Sequence, residues 1–108
     1  MARAILDGRA ISDWDSFHSV SAKALGFPAF YGRNLDAWID CLTYLRDGDG
    51  MSRFQLAPGE SLIIEVLGSA DLKRSTPDVY KALVESTAFV NKRYIEAGDQ
   101  PPLQLEWR

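Results

Sequence analysis

The sequence predicts an α/β fold: a small three-stranded parallel sheet in spatial order 1-2-3, with helices packed against it. Two observations carry this. Short strand-like runs at 3–7 and 103–107 stand on either side of a nearly continuous apolar run, Leu62-Ile63-Ile64-Glu65-Val66-Leu67, the pattern of a central strand covered on both faces or nearly so. The stretches between these runs carry helical periodicity, and helical crossovers join parallel strands. The resulting order is β-α-α-β-α-β, and with only three strands the most apolar belongs in the middle. At 108 residues the chain has room for one core and is read as one domain, residues 1–108.

Arg3-Ala4-Ile5-Leu6-Asp7 reads as the first strand, ended at Gly8. Ser12 suits the N-cap of a helix that turns Trp14, Phe17, Ala24 and Leu25 inward, with Gly26 at its C-terminal stop. Pro28 keeps the next segment extended until Asn34 caps a second helix running to Leu45 or Arg46. Its apolar face is Leu35, Trp38, Ile39, Leu42 and Leu45, at helical spacing. Asp47-Gly48-Asp49-Gly50 breaks the chain, and a loop continues to Pro58-Gly59. After the central strand, Thr76 is an N-cap followed by Pro77 at the first helical position. This last helix is expected to bury Tyr80, Leu83, Val84, Thr87, Tyr94 and Ile95 and to stop at Gly98. Pro101-Pro102 leads into Leu103-Gln104-Leu105-Glu106-Trp107, which alternates like a half-exposed edge strand.

Several function classes are excluded at this level. No apolar run approaches the roughly 20 residues of a membrane span, and Asp7-Gly8 cuts short the apolar N-terminus, which is not read as a signal peptide. The single cysteine rules out an internal disulfide and fits a reducing cytoplasm, the expected location. The glycines fit neither GxGxxG nor a phosphate loop, and no zinc spacing is present, so neither cofactor nor metal is expected. Without a basic stripe or an aromatic-basic motif, direct nucleic-acid binding is not expected either. The net charge of −3 is localised: between residues 34 and 50, Asp36, Asp40, Asp47 and Asp49 stand against Arg46 alone, which accounts for the whole excess. Such a field suits a basic protein partner, because complementary charge speeds encounter.

Asp36 and Asp40 lie four residues apart on the polar side of the second helix, so they stack one turn above each other. Like charges at that spacing cost a helix roughly 0.2–0.5 kcal/mol. Asp36 recovers part of this from the helix dipole, Asp40 less. Just upstream are the aromatic pair Phe30-Tyr31 and Gly32, which reads as a backbone needing positive φ or close approach. An acidic face beside an aromatic, glycine-containing loop is the layout of a surface that receives a cation.

The same run, Pro28, Tyr31-Gly32, Asn34-Leu35-Asp36-Ala37 and Asp40-Cys41-Leu42-Thr43, resembles the signature of the barstar family, small intracellular inhibitors of secreted bacterial ribonucleases. The likeness extends upstream through Ile5-Leu6-Asp7-Gly8 and Ile11 to His18, about two-fifths of the chain; downstream of Thr43 only the order of elements matches. The resemblance implies a barstar-like architecture and no catalysis. It implies that Asp40 enters the active site of a basic extracellular-type ribonuclease or similar toxin, among the cations that would hold the RNA phosphate, while Asp36 meets the basic rim. Phe30, Tyr31, Gly32, Asn34, Ala37, Thr43 and Tyr44 would complete the partner-binding surface of a monomer in a 1:1 complex.

The chain also departs from the family pattern. Phe30 stands where the best-known members carry a contacting tyrosine. Trp38-Ile39 stands where Leu-Trp is common, which moves the indole about 100° round the helix and toward the core. Tyr44-Leu45 replaces a small residue and an aromatic. Arg93 falls near the place from which the family draws an acidic contact out of its last helix, with Glu96 the nearest acid. These changes leave open an alternative: a protein-binding module for a toxin or regulatory partner that is not a ribonuclease. Two enzyme readings are disfavoured. Cys41 and His18 lie on separate helices with no cysteine-protease motif around them, and read as a buried thiol and a partly exposed histidine. Asp36 and Asp40 have no sugar cleft to serve as a glycosidase pair.

Overall fold

The computed structural model of the protein describes residues 2–47 and 51–108. Gly48, Asp49 and Gly50, read above as the break after the second helix, lie outside the described residues. Strand β1 (Ala2–Asp7) passes through a 3₁₀ turn (Gly8–Ala10) to helices α1 (Trp14–Leu25) and α2 (Leu35–Thr43). Strand β2 (Leu62–Leu67), helices α3 (Ser69–Ser75) and α4 (Pro77–Glu96), and strand β3 (Leu103–Trp107) follow. The sheet has the order β1-β2-β3, and both pairings are parallel, with Leu62 opposite Ala2 and Leu103. This is the α/β architecture the strand pattern predicts.

Alternation along the strands sends Ala4 and Leu6, Leu62, Ile64 and Val66, and Leu103 into one core with Phe17, Leu25, Trp38, Leu42, Leu83 and Val90. The opposite face carries Arg3, Glu65 and Glu106, joined by ion pairs of 3.4 and 3.1 Å. Glu65 is half-buried, so the central strand is covered on the apolar side and only partly on the other.

Several boundaries differ from expectation. Asp13, not Ser12, caps α1: its carboxylate accepts from the Ser16 N–H at 2.8 Å while Ser16 Oγ accepts from the Asp13 N–H at 3.0 Å. That reciprocal box outcompetes a single hydroxyl cap. Trp14 is consequently the first residue of α1 and 42% exposed, and stacks on His18, which takes the inward place. Gly26 ends α1 with φ 66°, in the left-handed region glycine enters without penalty. Helix α2 ends at Thr43, and a turn follows.

Helix α3 had no signal in the sequence because Leu72 is its sole buried residue, which leaves no period to read. Thr76 stands between the two helices: it is the N-cap residue of α4, accepting from the Tyr80 N–H through its carbonyl at 3.0 Å, while its hydroxyl turns back and donates to the Leu72 carbonyl of α3 at 2.9 Å. Pro77 does open α4. The inward stripe of α4 is Val79, Ala82, Leu83, Ser86, Thr87, Val90 and Tyr94. Thr87 is buried as expected, but Val84 and Ile95, also expected inside, face solvent because a strict 3.6 period turns the small Ala82 and Ser86 inward instead.

Candidate functional site

Helix α2 and the loop before it are fixed from below. Asn34 caps the helix by accepting from the Ala37 N–H at 2.7 Å. Trp38, Cys41 and Leu42 form the inner face, which leaves Asp36 and Asp40 exposed on the outer one. At the C-terminal end, the Tyr94 hydroxyl of α4 accepts from the Leu45 N–H at 3.0 Å and donates to the Thr43 carbonyl. One phenol thus satisfies two backbone groups that the helix end leaves open. Arg46, the only base in the acidic segment, is spent internally. Its side chain is 8% exposed, and its guanidinium donates to the Gln100 and Glu60 carbonyls and pairs with Asp99. The acids of α2 therefore lose little of their outward field to it.

The loop is pinned at two points. Arg33 adopts φ 55° and sends its guanidinium to Asp15 (2.7 Å to Oδ1) and Ser19 (3.0 Å) on α1. The Tyr31 hydroxyl and His18 Nδ1 share a buried hydrogen bond of 2.6 Å. Tyr31, expected at the partner surface, is thus only 9% exposed, its ring packed 4.7 Å from that of Phe27. Burial also corrects the expectation of a partly exposed His18, which is 6% exposed. Gly32 is corrected too. Its φ is not positive; the left-handed residue is Arg33, and a Cβ on Gly32 would find its nearest neighbour, Asn34 Nδ2, at 3.4 Å.

These restraints bring Phe30, Tyr31, Gly32, Ala37 and Asp40 together around one cleft of about 140 Å³, with Cys41 and Met51. Phe30 is 77% exposed. Asn34 and Asp36 are exposed on the same helix start without lining the cleft. Thr43 is half-buried and donates to the Ile39 carbonyl at 2.7 Å. Tyr44, just past the helix, exposes its ring.

Asp40 is not alone. Arg93 of α4 places Nη1 3.2 Å from Asp40 Oδ1 and 3.2 Å from Thr43 Oγ1. The sequence reading flagged Arg93 for its place but gave no sign of this contact, which spans 53 positions and depends on how α2 packs on α4. Met51 was missed altogether; a lone methionine beyond a turn carries no signal.

Burial, and then the neighbouring Asp40 charge, pushes the Cys41 thiol up to about 11, so it is no ready nucleophile at neutral pH. Its candidate base is engaged with Tyr31. Among the described residues, no group of three or more His, Cys, Asp or Glu could hold a metal, and no helix is long and apolar enough to cross a membrane.

Desolvation, with the Arg33 charge second, lowers His18 below the usual imidazole value; Asp15 opposes this weakly. The unfolded chain therefore takes the proton first. The stability contributed by neutral His18 is full above about pH 6.5 and is lost as the pH falls below it. Urea midpoints measured down to about pH 5 should show this loss. The slope over that range should flatten in His18→Gln; an unchanged slope would assign it to other groups.

A family model described as Barstar (barnase inhibitor) matches residues 1–106. The chain is also 46% identical over 43 residues to a protein of Bacillus subtilis (strain 168) named putative ribonuclease inhibitor YrdF. That match covers 40% of this chain and 47% of that protein, so the chain spans about half the length of the curated relative. The architecture, the capped acidic helix and a family match running almost end to end agree: the chain belongs to the barstar family.

Proposed function

We propose that this protein inhibits a basic, secreted-type ribonuclease by laying the outer face of α2 over its cationic active site. The carrying observation is Asp40, exposed at a cleft shared with Phe30, Gly32 and Ala37, on a chain of this family. Asp40 takes the place of the RNA phosphate and Asp36 meets the basic rim, with Asn34, Thr43 and Tyr44 around them. Tyr31 contributes from below, by fixing the loop and by the part of its ring that reaches the cleft. No bond is made or broken; substrate is excluded, and the cytoplasm of the producing cell is the place where such an inhibitor is needed. A 1:1 complex of two monomers is expected.

Titration of a barnase-type ribonuclease with the protein, following RNA cleavage at low and high salt, tests the reading. Stoichiometric inhibition weakened by salt supports it. No inhibition by the folded protein would turn the search to a different basic partner. That second reading, a module for a non-ribonuclease toxin or regulatory protein, is favoured by Arg93, since a cleft lined only with cations would meet a cation beside Asp40.

Gly32 offers a sharper check. The free chain does not require glycine there, because the φ is ordinary and a methyl group has room. Gly32→Ala should leave stability unchanged or raised by up to about 1 kcal/mol. A partner seated on the exposed backbone would be held off by the methyl group, weakening inhibition by roughly tenfold or more. Equal inhibition by Gly32→Ala would place Gly32 outside the contact.

A further inference from the structure

The geometry points to Arg93 as a built-in competitor for the Asp40 carboxylate, one that sets which cationic partners this inhibitor accepts. The inference rests on the reading of the α2 face as the binding surface and goes beyond it, since it concerns a residue of another helix.

Three contacts hold the guanidinium in place. It donates to Asp40 Oδ1 and to Thr43 Oγ1, each at 3.2 Å, and lies over the Phe89 ring with its central carbon 5.0 Å from the centroid. Phe89 is itself 47% exposed, so this cation rests on an aromatic at the surface. The Asp40 and Arg93 side chains are 55% and 42% exposed, so a partner reaches both. A cation approaching Asp40 finds one carboxylate oxygen already occupied and a like charge beside it. Like-charge juxtaposition is the usual means by which an interface rejects a wrong partner.

Asp36, one turn up the same face, has no ion pair among those in the described residues, so it still attracts cations over a distance. Attraction is therefore general and the final seat selective. A cleft lined with cations alone must push Arg93 aside. A cationic site that also carries a carboxylate can accept the displaced guanidinium and keep Asp40.

The test measures association of a barnase-type ribonuclease with the wild type, Arg93→Gln and Arg93→Glu, in Asp40 and Asp40→Asn backgrounds, with thermal melting to verify folding. Arg93→Gln should bind about tenfold more tightly than the wild type, and Arg93→Glu more tightly again. With Asp40→Asn, the gain from Arg93→Gln should shrink to roughly twofold or less, because the competitor has nothing left to occupy. Binding by Arg93→Gln that equals the wild type or falls below it, total absence of binding included, overturns the inference. So does a gain of equal size in the Asp40→Asn background, which would assign the effect to net charge. If the wild type inhibits and Asp40→Ala does not, yet Arg93→Gln gains nothing, the inhibitor reading stands and this inference alone falls. If no variant binds, both fall for that ribonuclease.

Discussion

Asp40→Ala is expected to lower affinity for a barnase-type ribonuclease by roughly 30- to 4,000-fold while leaving the fold intact. The range follows from about 2–5 kcal/mol for truncating one member of a buried, hydrogen-bonded charge pair, a figure that rests partly on complexes of this same family. Three small terms decide the stability side. The exposed pair with Arg93 is worth about 0–1 kcal/mol at most. Its loss is offset by relief of the i,i+4 repulsion with Asp36, about 0.2–0.5 kcal/mol. Alanine's higher helix propensity offsets a further few tenths, up to about 0.7 kcal/mol. The sum is near zero, so a loss of inhibition reports on the contact and not on unfolding. Asp36→Ala, at the rim, should act mainly on the association rate and its salt dependence. An Asp40→Ala protein that melts like the wild type and still inhibits fully would end the phosphate-mimic mechanism.

The parts of this molecule that were legible in the sequence are those governed by local period and local caps. The nearly continuous apolar run of β2 placed it at the centre of the sheet, and Asn34, Gly26 and Pro77 stand where helix ends need them. The indole of Trp38 was assigned to the core from its position on the helix, and it is fully buried. Exposure of Asp36 and Asp40 followed from the same periodicity. What was not legible depends on tertiary packing. Tyr31 and Phe30 are adjacent and chemically alike, yet one hydrogen-bonds to a histidine 13 positions away and the other is exposed. Arg33, not Gly32, takes the left-handed backbone because its guanidinium gains a carboxylate on α1. The Asp40–Arg93 contact belongs to this class as well, and it changes the reading of the face most: a site that looks purely acidic in sequence carries its own cation.

Trp38→Ala should be the most damaging substitution beneath that face, costing about 3–5 kcal/mol. The indole is 0% exposed, stacks on Phe17 at 6.4 Å, and is the largest side chain that α2 buries. Against a total stability of about 5–15 kcal/mol for a domain of ordinary kind, this is roughly a fifth of the whole or more. The melting temperature should fall by on the order of 20 °C. Trp38→Phe separates packing from the loss of an anchor. It keeps a ring against Phe17 and removes an indole N–H that has no hydrogen-bond partner among the described residues. An unpaired buried donor costs about 1–3 kcal/mol, so its removal offsets much of the lost area, and Trp38→Phe should melt far closer to the wild type than Trp38→Ala. Because Asp36 and Asp40 ride on the helix this ring anchors, Trp38→Ala should inhibit poorly near its melting range and recover inhibition on cooling, whereas Asp40→Ala should stay weak at every temperature. Equal melting of Trp38→Ala and the wild type would mean that something other than the indole holds the acidic face in position.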